Sequence, residues 1–247
     1  MNKLFLILCM LPSLALGLTS QEETIKANVK YLEKQGLPAP GSGIQLVDIK
    51  ELGMPEWMLQ KSKEQDKKFN ELGYINESSD RAYELLHFEQ VIEKSKPFTE
   101  KMHQPHESHL RPNKNELIMS YEYRGVPLQL VKQYLGIAPT GTYLTEPKMG
   151  WTGAVEFFKT DFGACAYTEN DLSHGGVRIA KDKVTYLINE KITTSFIRGN
   201  ESTGYLYKIS WYEAKLIHEL ECANQEYSKD LFNSTVEFAK LIDNSII

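Results

Sequence analysis

Beyond its first seventeen residues this chain has only two cysteines, Cys165 and Cys222, and no Cys-x-x-Cys spacing. That excludes a thioredoxin-type redox motif and a cysteine-rich zinc framework. In an oxidising compartment, an even pair of this kind most simply forms one disulfide. Such a bridge closes a loop of roughly 57 residues, which the chain-entropy model values at about 4 kcal/mol. The rival role, a thiolate activated by His218, requires the bridge to be absent. No apolar run after the leader approaches the ~18–20 residues of a membrane-spanning helix. Excess positive charge is missing too. Twenty-eight basic residues face 33 acidic ones, for a net charge of −5. The chain therefore lacks the electrostatic footprint of a nucleic-acid binder, and no polybasic run is available to hold an anionic membrane. Internal repeats and low-complexity tracts are absent, which argues against a solenoid.

What is there begins with a leader. Met1-Asn2-Lys3 supplies a short positive start, Leu4 to Leu16 is an apolar run broken only by Pro12 and Ser13, and Ala15-Leu16-Gly17 offers small residues for cleavage. This is the pattern of a secretory signal peptide over 1–17. Cys9 lies inside the apolar run and follows Leu8 rather than a small residue, which argues against lipid attachment. The expectation is a soluble, secreted or periplasmic chain over 18–247.

Two patterns divide that chain. The first is helical, over about 22–97. Ile25, Val29 and Leu32 recur at helical spacing before Gly36 and Pro38, and Leu37 to Gly43 reads as a linker. Pro55 to Gly73 reads as a second helix, and a third is capped by Ser78 or Ser79, carries Leu85, Phe88 and Ile92 on one face, and ends at Pro97. From about residue 115 the period falls to two. Strands are expected at Leu117–Tyr121, Val155–Thr160, Ala164–Tyr167, Val184–Ile188, Lys191–Ile197 and Tyr205–Tyr212, with a short helix at Pro127–Leu135. Glu213 to Asn224 fits helix or strand and is read as a strand extending the sheet. An amphipathic helix with Leu231, Thr235, Phe238 and Ile242 inward closes the chain. The expected fold is α+β in a single domain: N-terminal helices, then a mostly antiparallel sheet covered by a C-terminal helix.

The densest chemical cluster is His103-Gln104-Pro105-His106-Glu107-Ser108-His109. Neutral imidazole suits zinc or copper, so His103, His106 and His109 are the candidate metal ligands. In an extended chain of three residues per turn the rings share a face but sit about 9 Å apart. A tetrahedral ion needs its ligand atoms within roughly 3–4 Å of one another. The loop must curl, or recruit His174 or His218; the plainer reading is a solvated loop. Ser173-His174-Gly175-Gly176 resembles an esterase oxyanion stretch, but Asn200-Glu201-Ser202-Thr203-Gly204 is an incomplete nucleophile elbow lying between strands. Tyr205, Tyr207 and Trp211 share a strand face that is explained either by core packing or by a carbohydrate groove. Trp151 and Tyr212, with Tyr143, are the candidate binding aromatics. Sequons occur at Asn76, Asn200 and Asn233.

No complete catalytic motif is present. The chain reads as a secreted or periplasmic, non-catalytic binding protein for an unknown protein or small ligand. The alternative is a metal-binding protein or metal-dependent hydrolase built on the histidine loop.

Overall fold

In the computed structural model the described residues are 43–99, 110–146, 148–173 and 175–245. The leader, the first expected helix and all of the expected linker but Gly43 lie outside them. Alternating residues from 133 onward build one large sheet, because inward side chains there are apolar at every second position. Its strands are β3 (Gln133–Leu144), β4 (Gly150–Lys159), β5 (Ala164–Asp171), β7 (Thr185–Ile188), β8 (Lys191–Asn200), β9 (Gly204–Tyr212) and β10 (Leu216–Asn224). The short β2 (Ile75–Asn76) joins them, giving the order β2-β8-β9-β10-β5-β4-β3 with β7 beside β8. Every pairing is antiparallel except that of β2 with β8. Separately, β1 (Gly43–Val47) pairs in parallel with β6 (Gly176–Ala180).

Three helices precede the sheet strands: α1 (Glu56–Leu72), α2 (Asp80–Leu86) and α3 (Phe88–Thr99). Gly73 ends α1 at φ 80°, its N–H reaching the Phe69 carbonyl at 2.8 Å. Ser79 caps α2 by accepting from the Ala82 N–H at 3.2 Å. The last helix, α4 (Lys229–Asn244), is capped by Ser228.

Register divides the sheet into two faces. The first carries Phe158, Tyr167, Ile209, Trp211 and Leu220, and packs against Val236, Phe238, Ala239 and Ile242 of α4. Cys165 and Cys222 stand directly opposite each other on this face, across β5 and β10, with Cα atoms 4.1 Å apart and the disulfide formed. The expected bridge is present, and with both sulfurs bonded the thiolate–imidazole role of His218 falls away. The second face carries Val155, Ala166, Leu206 and Ala223 under Ala82 and Leu85 of α2.

The helix from Pro55, the strands around Asp161–Gly163, the strand over 216–224 and the final helix stand as expected. The turn between β7 and β8 also agrees: Asn189 and Glu190 both adopt positive φ, as a two-residue hairpin turn requires. Three readings are corrected. The helix expected from Ser79 to Pro97 is two helices, broken where His87 leaves helical geometry and turns its ring Nδ1 to the Tyr83 carbonyl at 2.9 Å. Pro97 falls within the last turn of α3, where one forfeited N–H bond leaves only the helix end weakened. Leu117–Tyr121 is not a strand, because β5 already occupies the Gly153–Lys159 edge of β4 and leaves only Trp151 to bridge Met119. Pro127–Leu135 holds just a 3-10 turn at Leu128–Leu130, since β4 offers a free edge that draws the following chain into β3.

Candidate functional site

Two carboxylates, a histidine and a tyrosine lie in the middle of the first face. Strand pairing sets Glu156 opposite Tyr167, and Glu169 opposite His218, which itself faces Trp211. All five side chains are fully buried. Carboxyl groups are seldom placed so deep unless something needs them there. What needs them is the irregular strap over residues 110–132, which crosses this face without a ladder to satisfy its backbone. The Val126 N–H donates to Glu156 Oε2 at 3.1 Å, and the Arg124 N–H to Glu169 Oε1 at 3.4 Å. Tyr123 donates its hydroxyl to Glu156 Oε1 at 2.9 Å, and Tyr121 donates to the Glu169 carbonyl at 3.0 Å. Gly125 sits between the two clamped N–H groups at φ 68°, and a Cβ there would fall 2.2 Å from Glu156 Oε1. The strap can approach the carboxylate this closely only through glycine.

From Glu169 the polar chain continues inward. Tyr167 Oη lies 3.1 Å from Glu169 Oε2 and 2.7 Å from His218 Nδ1. A tyrosine hydroxyl has one proton to give. With Glu169 ionised, Tyr167 donates to it and accepts from His218 Nδ1–H. The other ring nitrogen, Nε2, has no hydrogen-bond partner; Glu213 Oε1 faces it at 3.6 Å as an ion-pair contact. Trp211 stacks on the imidazole with ring centroids 5.1 Å apart and planes 13° from parallel. Lys191 then links Glu213 at 2.8 Å to Asp243 at 2.6 Å, and Asp243 also accepts from Trp211 Nε1 at 2.9 Å.

The carboxyls respond to these surroundings in opposite ways. Burial pushes Glu156 above the ordinary carboxylate range, with Tyr123 and the Val126 N–H pulling back. Burial raises Glu169 in the same way, opposed first by the charge of His218. Glu213 is held down to about 2 by the His218 imidazole and, against partial burial, by Lys191. Chemically this is a proton-holding chain, and its groups face one another rather than an opening.

The residues singled out by sequence are distributed otherwise. His103, His106, His109 and His174 lie outside the described residues. Among the described residues no group of three or more His, Cys, Asp and Glu side chains could hold a metal ion. His218 is fully buried and packed between Tyr167 and Trp211. Tyr207 and Trp211 are buried core residues, and Tyr205, also buried, reaches the surface only as part of the lining of a recess at the β8–β9 hairpin. Trp151 packs edge-on to Tyr143 with centroids 5.3 Å apart, and Tyr212 shares a 3.3 Å contact with the Thr194 hydroxyl. Both lie toward one end of the sheet, but three strand spacings separate β4 from β9, about 14 Å. They do not form one site. Ser202 Oγ donates to Asn200 Oδ1 at 2.7 Å within a β8–β9 hairpin turn, not at a strand-to-helix elbow.

At that hairpin the surface dips into an open recess of about 310 Å³, lined by Tyr74, Asn76, Asn200, Glu201, Ser202 and Tyr205. Asn200 Oδ1 accepts from the backbone and hydroxyl of both Ser202 and Thr203, at 2.7 to 3.2 Å. Its oxygen is fully engaged inside the turn, which fixes the amide plane and leaves the NH₂ as the group it can offer a ligand. Tyr74 meets Tyr205 edge-on at 5.3 Å and Tyr227 at 4.6 Å, so the recess floor is a packed tyrosine cluster. Two of the three sequon asparagines, Asn76 and Asn200, stand at this recess, on the paired strands β2 and β8.

Sequence reasoning missed Glu156 and Glu169. The available signal was position: each carboxylate falls on the inward parity of an otherwise apolar strand, Glu156 between Ala154 and Phe158, and Glu169 two residues after Tyr167. Among the described residues no helix is long and apolar enough to cross a membrane. Comparison of the chain with protein families, with curated proteins and with solved structures returns no match.

Proposed function

We propose that this chain is an exported, non-catalytic binding protein whose ligand contact is the recess at the β8–β9 hairpin. The observation that carries this reading is the contrast in how polar groups are spent. Glu156, Glu169, Tyr167 and His218, the groups best equipped for acid–base work, are sealed at zero exposure, the two glutamates engaged in holding the strap and Tyr167 and His218 with Glu169. A general acid or base must come within hydrogen-bond reach of a substrate proton. At the recess, by contrast, the fixed Asn200 amide, the Asn76 amide, the Glu201 carboxylate and the Tyr74 ring face outward around a single depression. That combination suits a small, neutral, hydrogen-bonding ligand. Export is supported by the Leu4–Leu16 leader and by a disulfide that needs an oxidising compartment.

The test is chemical-shift mapping on isotope-labelled protein against a panel of amino acids, mono- and disaccharides and polyamines. Saturable shifts confined to residues 74–76 and 200–205, weakened by Asn76→Ala, are the expected outcome. Shifts centred elsewhere, or none with any member of the panel, would remove the recess as the site. Turnover of a panel member would remove the non-catalytic reading.

A further inference from the structure

Residues 117–126 cover a buried pair of carboxylates with almost no ladder pairing of their own. Their attachments to the sheet are few and specific. Ile118 and Ser120 exchange backbone bonds with Trp151 at 2.8 and 3.0 Å. Beyond that point the hold passes to Tyr121 and Tyr123 through their hydroxyls, and to Arg124 and Val126 through their N–H groups. Three of those four bonds end on the side-chain oxygens of Glu156 or Glu169. Strip the segment away and Glu156, Glu169 and Tyr167 would meet water.

We propose that this strap is a pH-sensitive latch, closed while the two buried carboxyls share protons and loosened when both are fully charged. The groups facing the pair are mostly neutral. The strap contributes Tyr121 and Tyr123, with Arg124 and Lys114 as its only cations near the pair. Tyr134 faces Glu156 from β3, while Tyr167 and Asp171 lie close by on β5. His218 on β10 approaches Glu169 at 3.7 Å, and is itself shared with Glu213, which Lys191 ties to Asp243 of α4. One imidazole therefore serves two carboxylates, and the Lys114 ammonium is spent on the Arg124 carbonyl at 3.3 Å. Two anions in an apolar face with so little compensating charge disfavour each other and the dry site. Opening the strap hydrates them.

The sign follows from linkage. Burial raises both glutamates above the ordinary value, so the closed state holds protons more tightly than the open one. Closure is then strongest at acid pH and weakens as pH rises through the raised carboxyl range.

Hydrogen exchange read by mass spectrometry tests this, using the full chain and rates corrected for the intrinsic pH dependence. A peptide covering residues 117–126 should lose at least tenfold in protection between about pH 5 and about pH 8, while a β9 peptide holds steady. The double variant Glu156→Gln/Glu169→Gln should abolish that slope. Tyr123→Phe removes a donor from the Glu156 carboxylate but keeps its charge, and should make the loss with pH larger. Flat protection of the strap in the wild-type chain overturns the latch. So does a slope that survives in the double variant, or a shallower one in Tyr123→Phe if the double variant does not fold.

Discussion

The two faces of the sheet bury acidic side chains by different means. On the first face, Glu156 and Glu169 are surrounded by hydroxyls and backbone N–H groups, and burial drives both upward. On the second, Lys208 contacts Glu219 and reaches Glu221 at 3.2 Å, while Arg81 Nε meets Glu221 at 2.8 Å. Burial pushes Glu221 up as well, yet the two cations outweigh it and the group ends below its ordinary value. The residue type is the same and all three side chains are largely withdrawn from water, Glu221 less completely than the other two. The partners set the direction. Neutral donors fasten a carboxylate in place; a cation is needed to keep it charged.

The two faces should therefore fail differently. The largest loss belongs to the first face through its disulfide. Replacing Cys165 and Cys222 with alanine should cost about 4 kcal/mol in denaturant unfolding. A cost near zero would mean that the unfolded chain is already constrained. Next comes Glu156→Ala, which strands the Tyr123 hydroxyl and the Val126 N–H in a dry site. It should cost about 3 kcal/mol, at one to three per orphaned donor. Glu156→Gln keeps an amide oxygen for Val126 and an NH₂ for Tyr123, and should change stability by less than about 1 kcal/mol. If the two substitutions cost the same, the carboxylate is not acting as an acceptor for the strap.

Gly125→Ala follows, at about 2 kcal/mol, since a side chain at φ 68° is strained and its Cβ meets the Glu156 carboxylate. On the second face, Glu221→Gln should lower stability by only about 1 kcal/mol at neutral pH, because Arg81 and Lys208 are partly in water. Acid titration separates the faces most finely. Glu221 and Glu213 sit below their ordinary values, so their contributions are complete at neutral pH and lost as pH falls through their lowered values. Glu156 and Glu169 have the opposite sign: their cost is present above their raised values and relieved on acidification. In Glu156→Gln/Glu169→Gln the stability gained on mild acidification should disappear, while the loss at stronger acid remains.

The same contrast explains which parts could be read in the chain itself. Strands β4, β5, β8 and β9 were legible because short apolar, β-branched and aromatic runs are set off by turn residues at 161–163, 189–190 and 198–204. The β10 segment fits a helix as well, and reads as a strand because it extends the sheet. Strand β3 was obscured by Gly136, Pro139 and Gly141, which interrupt the alternation and accompany register shifts against β4. Glu156 was hidden by a sound rule, that charge inside a strand marks the solvent side. The exception arises from a demand made elsewhere, by strap N–H groups with no ladder. Such a demand belongs to the folded arrangement and leaves no local pattern. The recess was hidden for the same reason: Tyr74 and Asn76 meet Asn200 and Tyr205 only because β2 lies along β8. The buried glutamates mark the limit of reading residue type without position.

The disulfide also has a mechanical consequence. It joins β5 to β10, and the whole of β6, β7, β8 and β9 lies in the 57 positions between its cysteines. Tension applied from the two ends of the chain passes from one sulfur to the other and bypasses that loop. Those four strands cannot be drawn out as thread while the bridge holds, which keeps about 190 Å of contour length out of reach of a pulling force. A stretched molecule would peel from its α4 end and from its helices toward the bridge and stop there, with the hairpin that carries the recess still folded behind it.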